Sequence, residues 1–495
     1  MRMRLQRLSW PLPYLIPAAF AFMLLLFYPF RFRFEFDTDE GIQLIKAFLY
    51  LKGYALQTEI FSDQPPLFTV VLAALFNTLG PSVLVARLAV LAFSCLLLIS
   101  GAVFLKTFYG GLHSFVALIL LATLPYFVQL SVSVMIGLPA IALAMLALLA
   151  LGQWRRTGRT GWMLFSSIAL ALSVLTKLFT VILVPVFVAG MLLSVSDERS
   201  GEKSPVRRWM AIGIWLGVLI GAGLILLRAL VGAAGWPQMI VTARDARNVA
   251  FEGREVGALL PRLWLLLVLA TAGGVLSVTR RSWAGMCLFG WFVLGIIFLV
   301  AVHPVWYHQQ LLMSVPAAML ASIAVSECFL YLRQLMANHA PIGAWGLLCV
   351  AGFLLFVGLL GFRIQDSLQG FRARLPNLIV GGQMSIPEYE AIPVMGKCDP
   401  GGSLLITDRP MYAFRSLREV PPELAVFSLK RLRTGWLTEE DVIASVDERR
   451  PKVVLLGRFR FPLVSSYLKS RYQKVTGYPG PRLFIRDWDG VCSEE

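Results

Sequence analysis

The chain has 495 residues, of which 57% are hydrophobic and only 15% carry a charged side chain. Soluble domains carry about 25% charged residues, so this composition excludes an ordinary soluble protein and indicates a polytopic α-helical membrane protein. The formal net charge is +16, but many Lys and Arg residues lie in short segments between apolar runs. Because the sequence shows no basic patch with interleaved aromatic residues, we expect no nucleic-acid partner.

Apolar runs long enough to cross a bilayer recur through the first three quarters of the chain. A span needs about 20 apolar residues, and on this criterion we predict about eleven spans. They lie at residues 11–30, 82–105, 112–130, 137–153, 161–176, 178–195, 209–230, 261–278, 283–302, 309–332 and 342–362. Residues 66–80 are apolar but too short, which favours an interfacial or re-entrant helix on the outer face.

The loop charges orient these spans. With this count every loop on one side carries Lys or Arg, for example Arg155 and Arg156, and the positive-inside rule assigns that side to the cytoplasm. We therefore expect a multi-pass protein of the inner or plasma membrane with a cytoplasmic N-terminus. The long loop over 31–81 and the C-terminal part then lie outside the cytoplasm, in the periplasm if the cell is Gram-negative.

The composition becomes mixed after Arg363. Short β-type runs occur at 403–407, 452–457 and 482–486, and residues 438–449 have the pattern of a capped helix. We predict a transmembrane domain over 1–362 and a small soluble α/β domain over 363–495.

The first outer loop holds an acidic cluster in a chain that is otherwise poor in acids, namely Asp37, Asp39, Glu40, Glu59 and Asp63. A charged group costs roughly 2.5–3.5 kcal/mol at the centre of a bilayer, so such a cluster beside a membrane is a candidate site. A carboxylate next to an acceptor hydroxyl or amine can act as a general base. The alternative is a solvated loop in which Asp39 and Glu40 occupy the first turn of a helix.

Three basic residues in the later outer loops are candidates for binding a lipid-linked phosphate. Lys177 lies between two apolar runs, where it would either bind phosphate as a compact cation or simply mark a helix end. Arg244 and Arg247 would share one face of a helix and suit phosphate oxygens, or they would form a solvated turn with Asp245.

His303, Tyr307 and His308 lie where a span meets water. His303 with an acid such as Asp63 would supply ligands for a divalent metal, although no ligand spacing enforces such a site. Aromatic residues are also common at this depth for anchoring alone. A divalent metal is therefore possible, and no other cofactor is indicated.

The order of several short motifs resembles the GT-C glycosyltransferases, in the branch of the protein mannosyltransferases and the bacterial lipid A aminoarabinose transferase. The motifs are D-E-G after the first span, D-Q-P-P-L at the short apolar helix, A-R-L at the next span, L-T-K after the fifth span and H-P-V-W-Y-H-Q-Q. The resemblance covers roughly residues 10–325, with a family-like soluble tail.

This resemblance implies a polyprenyl-phosphate-linked sugar donor and a glycan, lipid or protein acceptor on the outer face. It implies transfer with inversion in a single displacement. Asp39 would be the base or acceptor-orienting carboxylate, with Glu40 beside it. Lys177, Arg244, Arg247 and Tyr307 would hold the donor phosphate.

The sequence also departs from the family pattern. Gln64 stands where the family often has a lysine, Gly137 where it often has an acid, and Gly41 where it often has an arginine. Two alternatives to a transferase therefore remain: a transporter or flippase of lipid-linked intermediates, and a non-catalytic envelope protein on the same fold. Span interiors almost free of charge, and the lack of related halves in the sequence, argue against the transporter.

Overall fold

The computed structural model describes residues 12–193, 205–232, 241, 245, 260–302, 305–339, 341, 343–372, 387–476 and 480–486. Fourteen α-helices precede the C-terminal part in this described portion of the chain. They are α1 (Leu12–Phe27), α2 (Glu40–Leu51), α3 (Leu67–Leu79), α4 (Val83–Phe108), α5 (Gly111–Ala122), α6 (Pro125–Val132), α7 (Gly137–Thr157), α8 (Thr160–Thr176), α9 (Val184–Leu193), α10 (Pro205–Val231), α11 (Leu260–Thr279), α12 (Trp283–Ala301), α13 (Leu311–Ala337) and α14 (Ala344–Arg372). Short 3₁₀ turns precede α9 at Leu178–Leu183 and α13 at Tyr307–Gln310.

Several of these helices can cross a membrane by length and composition. Within the described residues, six are long and apolar enough, or seven when α5 and α6, bent by 73°, count as one broken span. The bend falls where Pro125 opens α6, because proline has no N–H to continue the preceding helix. Helical segments occupy every position at which a span is predicted, so a polytopic helical fold is confirmed, whereas the number of spans remains a prediction.

Helices α2 and α3 lie outside this series and pack against each other. Helix α2 is buried from Glu40 to Leu49, although its sequence is only partly apolar. Helix α3 has 13 residues and ends at Gly80, whose φ of 81° favours glycine. Its length agrees with the short outer-face helix expected at 66–80.

The C-terminal part is a small α/β unit. Its described elements are α15 (Pro387–Cys398), β1 (Leu405–Thr407), α16 (Pro410–Arg415), α17 (Leu429–Arg433), α18 (Glu439–Arg449), β2 (Val453–Leu456), α19 (Pro462–Arg471), β3 (Gln473–Lys474) and β4 (Arg482–Ile485), with a 3₁₀ turn at Pro422–Leu424. The sheet order is β1-β2-β4-β3, with β1 and β2 parallel and the other pairs antiparallel. The three predicted strands are confirmed, and so is the capped helix, because Thr438 and Asp441 form a capping box.

This C-terminal domain is docked directly on the acidic loop. Helix α16 packs against α2, and a Cβ added at Gly41 would lie 2.9 Å from Met411 Cα and closer still to its backbone nitrogen. The ring of Phe414 packs edge-to-face against Phe48 and at a tilt against Phe76, at centroid distances of 6.1 and 5.3 Å. Gly41 therefore permits a close approach that any side chain would block, and α2 is buried because α3 and α16 both pack against it.

Candidate active site

One face of α2 carries the polar groups of the site. Asp39, Gln43 and Lys46 are spaced four and three residues apart, so their side chains lie on the same side of the helix. Gln43 is only 8% exposed, and its Oε1 has no hydrogen-bond partner in the described part of the chain. Lys46 is 2% exposed, with Nζ 3.5 Å from Ser62 Oγ. A buried amide oxygen and a buried ammonium on one face indicate a site built to receive a polar ligand.

Lys177 approaches the same site from the membrane domain. It is the single extended residue between α8 and the following 3₁₀ turn, with φ −153° and ψ 122°, and it is 7% exposed. Its Nζ lies 5.1 Å from the ring centroid of Phe179 and 3.7 Å from the position that a Cβ at Gly137 would take. The acid that the family pattern places at position 137 would contact this ammonium, so its replacement by glycine removes a partner for Lys177.

The two buried lysines share the same acidic neighbours. Burial lowers the pKa of both Lys46 and Lys177 to about 8, while the charges of Asp63 and Asp39 act in the opposite direction. Asp63 itself pairs with Lys430 of the C-terminal domain at 3.1 Å. Burial alone would raise the pKa of Asp63, but Lys430 and Lys46 outweigh that effect and lower it.

Asp37 lies at the other end of the acidic loop. Its Oδ1 accepts the backbone N–H of Asp39 at 2.8 Å, and its Oδ2 accepts the hydroxyl of Tyr307. Burial and the charge of Asp39 together raise the pKa of Asp37. The predicted phosphate ligand Tyr307 therefore contacts the acidic loop through Asp37, and its ring packs 5.4 Å from that of Tyr126.

Asp39 and Glu40 are neighbours in sequence but face different surroundings. Glu40 is fully buried and makes a two-bond ion pair with Arg87 of α4, with both N···O distances 2.8 Å. The carboxylate also accepts the backbone N–H groups of Val134 and Phe36. Adjacent helical residues are about 100° apart, so Glu40 points into the bundle while Asp39 points to the site.

Asp39 is one-third exposed, and its Oδ1 accepts a hydrogen bond from Nη2 of Arg458 at 3.0 Å. Arg458 follows β2 in the C-terminal domain. Within the described residues, four cations, Lys46, Lys177, Lys430 and Arg458, therefore lie around the carboxylates of Asp39 and Asp63. These cationic side chains outnumber the two carboxylates, so the charge balance of the group favours an anionic ligand.

Three of the residues predicted for the site, Arg244, Arg247 and His303, lie outside the described residues. In the described part of the chain no group of three or more His, Cys, Asp or Glu side chains is placed to hold a metal ion. Asp63, the other metal-ligand candidate, contacts Lys430 instead.

The sequence-based prediction missed three cations of the site. Lys46 lies at helical spacing after Asp39, and this spacing could have predicted that both side chains lie on one face of the helix. Lys430 and Arg458 gave no such signal, because they lie 367 and 419 positions from their partners.

Comparison with known proteins rests on structure alone. No protein-family model matches the sequence, and no curated protein matches it. The structure of ArnT from Cupriavidus metallidurans bound to undecaprenyl phosphate is similar with a TM-score of 0.62 at 13% identity, over 97% of this chain and 99% of that chain. The oligosaccharyltransferase AglB from Archaeoglobus fulgidus, in complex with an inhibitory peptide and a dolichol-phosphate, gives a TM-score of 0.55 at 15% identity, over 97% and 75%.

A complex of the Archaeoglobus fulgidus oligosaccharyltransferase with Zn and sulfate is also similar, with a TM-score of 0.50 at 13% identity, over 89% and 68%. ArnT and AglB are both GT-C glycosyltransferases, so the resemblance drawn from the motifs is confirmed. At these identities the similarity establishes the fold of this chain.

Proposed function

We propose that this chain is an integral-membrane glycosyltransferase. It moves a sugar from a polyprenyl-phosphate donor to an acceptor on the outer face of the membrane, with inversion. The acceptor is a glycan, a lipid or a protein. The proposal draws on the GT-C fold and on the titratable groups gathered between α2, Lys177 and the C-terminal domain.

The observation that carries the proposal is the pair of buried lysines. Lys46 and Lys177 are 2% and 7% exposed, and both lie within the electrostatic reach of Asp39 and Asp63. Buried charges are stable only when they are compensated, and the cations around Asp39 and Asp63 outnumber these two carboxylates. A phosphate that enters from the membrane supplies the missing negative charge and fits a compact ammonium.

The reaction needs one base and one charge-stabilising group. The acceptor oxygen or nitrogen attacks the anomeric carbon as the bond from that carbon to the phosphate oxygen breaks. The bonding electrons pass to the phosphate, and Asp39 takes the acceptor proton, a role worth about 10²–10⁴-fold in rate. Lys177 stabilises the charge that develops on the leaving phosphate.

Asp37 and Glu40 support this chemistry without contacting the reacting atoms. Asp37 accepts the backbone N–H of Asp39 and fixes it at the start of α2. Glu40 on α2 forms an ion pair with Arg87 on α4 and so fixes the two helices relative to each other. We therefore assign both to positioning, and we assign no step to a metal.

The first test is direct binding of undecaprenyl phosphate to the full-length protein in nanodiscs. We expect saturable binding that Lys177→Gln weakens at least tenfold. Lys52→Gln is the matched control, because it makes the same charge change at a side chain that is 49% exposed and lies 3.6 Å from Glu419. Wild-type protein that does not bind undecaprenyl phosphate would contradict the proposal.

The second test separates a catalyst from a scaffold. Asp39→Asn removes the base but leaves the lysines, so the variant should retain an unreacted isoprenoid phosphate sugar through purification. Mass spectrometry of the co-purified lipids would then identify the sugar. If Asp39→Asn supports the same transfer in cells as the wild-type protein, Asp39 is not the base. If the wild-type chain itself supports no transfer, the non-catalytic alternative is correct.

A further inference from the structure

The C-terminal domain supplies two of the four cations in the candidate site. Arg458 contacts Asp39 at 3.0 Å and Lys430 contacts Asp63 at 3.1 Å. Both ion pairs are partly shielded, with side chains between 19% and 33% exposed. The site is therefore composite and exists only while the domain is docked.

The backbone that carries Arg458 is held in place by a buried carboxylate. Asp408, which is 0% exposed, accepts three successive backbone N–H groups, those of Gly457, Arg458 and Phe459, at 2.7, 2.8 and 2.8 Å. Charge-assisted hydrogen bonds to backbone N–H groups are stronger than neutral ones. The loop is thus anchored, and the Arg458 guanidinium donates from it to Asp39 at 3.0 Å and to the carbonyl of Phe427 at 3.4 Å.

Arg458 occupies one of the two carboxylate oxygens of Asp39, the base proposed above. Oδ1 of Asp39 accepts a guanidinium N–H, so that oxygen is not available to an acceptor proton in this state. The Arg458 guanidinium also lies 5.1 Å from the ring of Phe459, at the edge of the site. A guanidinium matches phosphate oxygens with two parallel hydrogen bonds, whereas here it gives Asp39 a single one.

We propose that Arg458 is a donor-binding residue contributed by the C-terminal domain, and that the donor phosphate replaces Asp39 as its partner. The exchange frees Asp39 to accept the proton of the acceptor, so donor binding prepares the base. No covalent bond changes in this step; one ionic contact is replaced by another. The proposal rests on the function proposed above and names the group that links donor binding to catalysis.

The test is a double-mutant cycle on undecaprenyl phosphate binding to the full chain. Arg458→Gln should weaken binding at least tenfold. Asp39→Asn should strengthen binding, because the competing carboxylate is lost. That gain should shrink at least threefold in the Arg458→Gln background, because no guanidinium remains to be released. Arg471→Gln makes the same charge change at an exposed pair with Asp447 and should leave binding unchanged.

Arg458→Lys keeps the positive charge but loses the planar fork. It should bind undecaprenyl phosphate with intermediate affinity, and it serves as the test if the glutamine variant does not fold. Wild-type affinity in the Arg458 variants, or an equal gain from Asp39→Asn in both backgrounds, overturns this proposal and leaves the proposed function intact. A wild-type protein that does not bind undecaprenyl phosphate overturns both.

Discussion

Replacing Glu40 by glutamine should lower the stability of the protein around α2 while leaving Asp39, the proposed base, unchanged. The carboxylate of Glu40 accepts four hydrogen bonds, two from Arg87 and one each from the backbone N–H groups of Val134 and Phe36, at 2.8–3.0 Å. A glutamine has one acceptor oxygen and an NH₂ group that must face a donor. Breaking a fully buried ion pair by neutralising one partner costs about 3–5 kcal/mol.

The assay is thermal unfolding of the full-length variants in a single detergent. Glu40→Gln should melt far below the wild type. Asp39→Asn should melt close to it, because a partly exposed ion pair contributes about 0–1 kcal/mol. Combining Glu40→Gln with Arg87→Met should cost less than the sum of the single changes, since no unpaired charge is left buried. The reasoning is refuted if Glu40→Gln melts at the same temperature as the wild type and loses sugar transfer as Asp39→Asn does. That result would make Glu40 a catalytic residue.

Other changes test the lysines and the docked domain. Gly137→Asp should place a carboxylate in contact with Lys177 and weaken undecaprenyl phosphate binding at least tenfold. The control variant Gly137→Ala should bind the lipid like the wild type. Equal losses of affinity in both variants would show a packing effect. Raising the pH from 7 to 9 should weaken binding by up to about tenfold for each of the two buried lysines, because their pKa values are about 8 and the cationic form binds phosphate. The lipid phosphate, whose second pKa is about 6, does not titrate in that range, so a flat profile in direct binding would contradict the role of the lysines. Gly41→Ala should overlap the backbone of Met411 and lower both the melting temperature and lipid affinity, while Gly161→Ala, with no atoms nearby, should change neither.

Local patterns in the sequence were sufficient for much of the fold. The capped helix at Thr438, the short strands and the helical segments of the membrane domain all depend on residues close together in the chain, where periodicity and capping act. The acidic loop was also visible, because carboxylates are costly next to a bilayer.

The internal geometry of the site was not accessible in the same way. Asp39 and Glu40 are adjacent, and only packing reveals that one turns toward Arg87 and the other toward Arg458. The long-range ion pairs depend on how the C-terminal domain docks, and that depends on the close approach at Gly41. No local pattern encodes such contacts across several hundred residues.

The measurement that tests the central claim most directly is a structure of the full chain with undecaprenyl phosphate in nanodiscs. We predict that the phosphate lies within hydrogen-bond distance of Lys177 Nζ and the Arg458 guanidinium, with Oδ1 of Asp39 released toward the space for the acceptor. A lipid phosphate bound elsewhere, with the contact between Asp39 and Arg458 intact, would contradict the account.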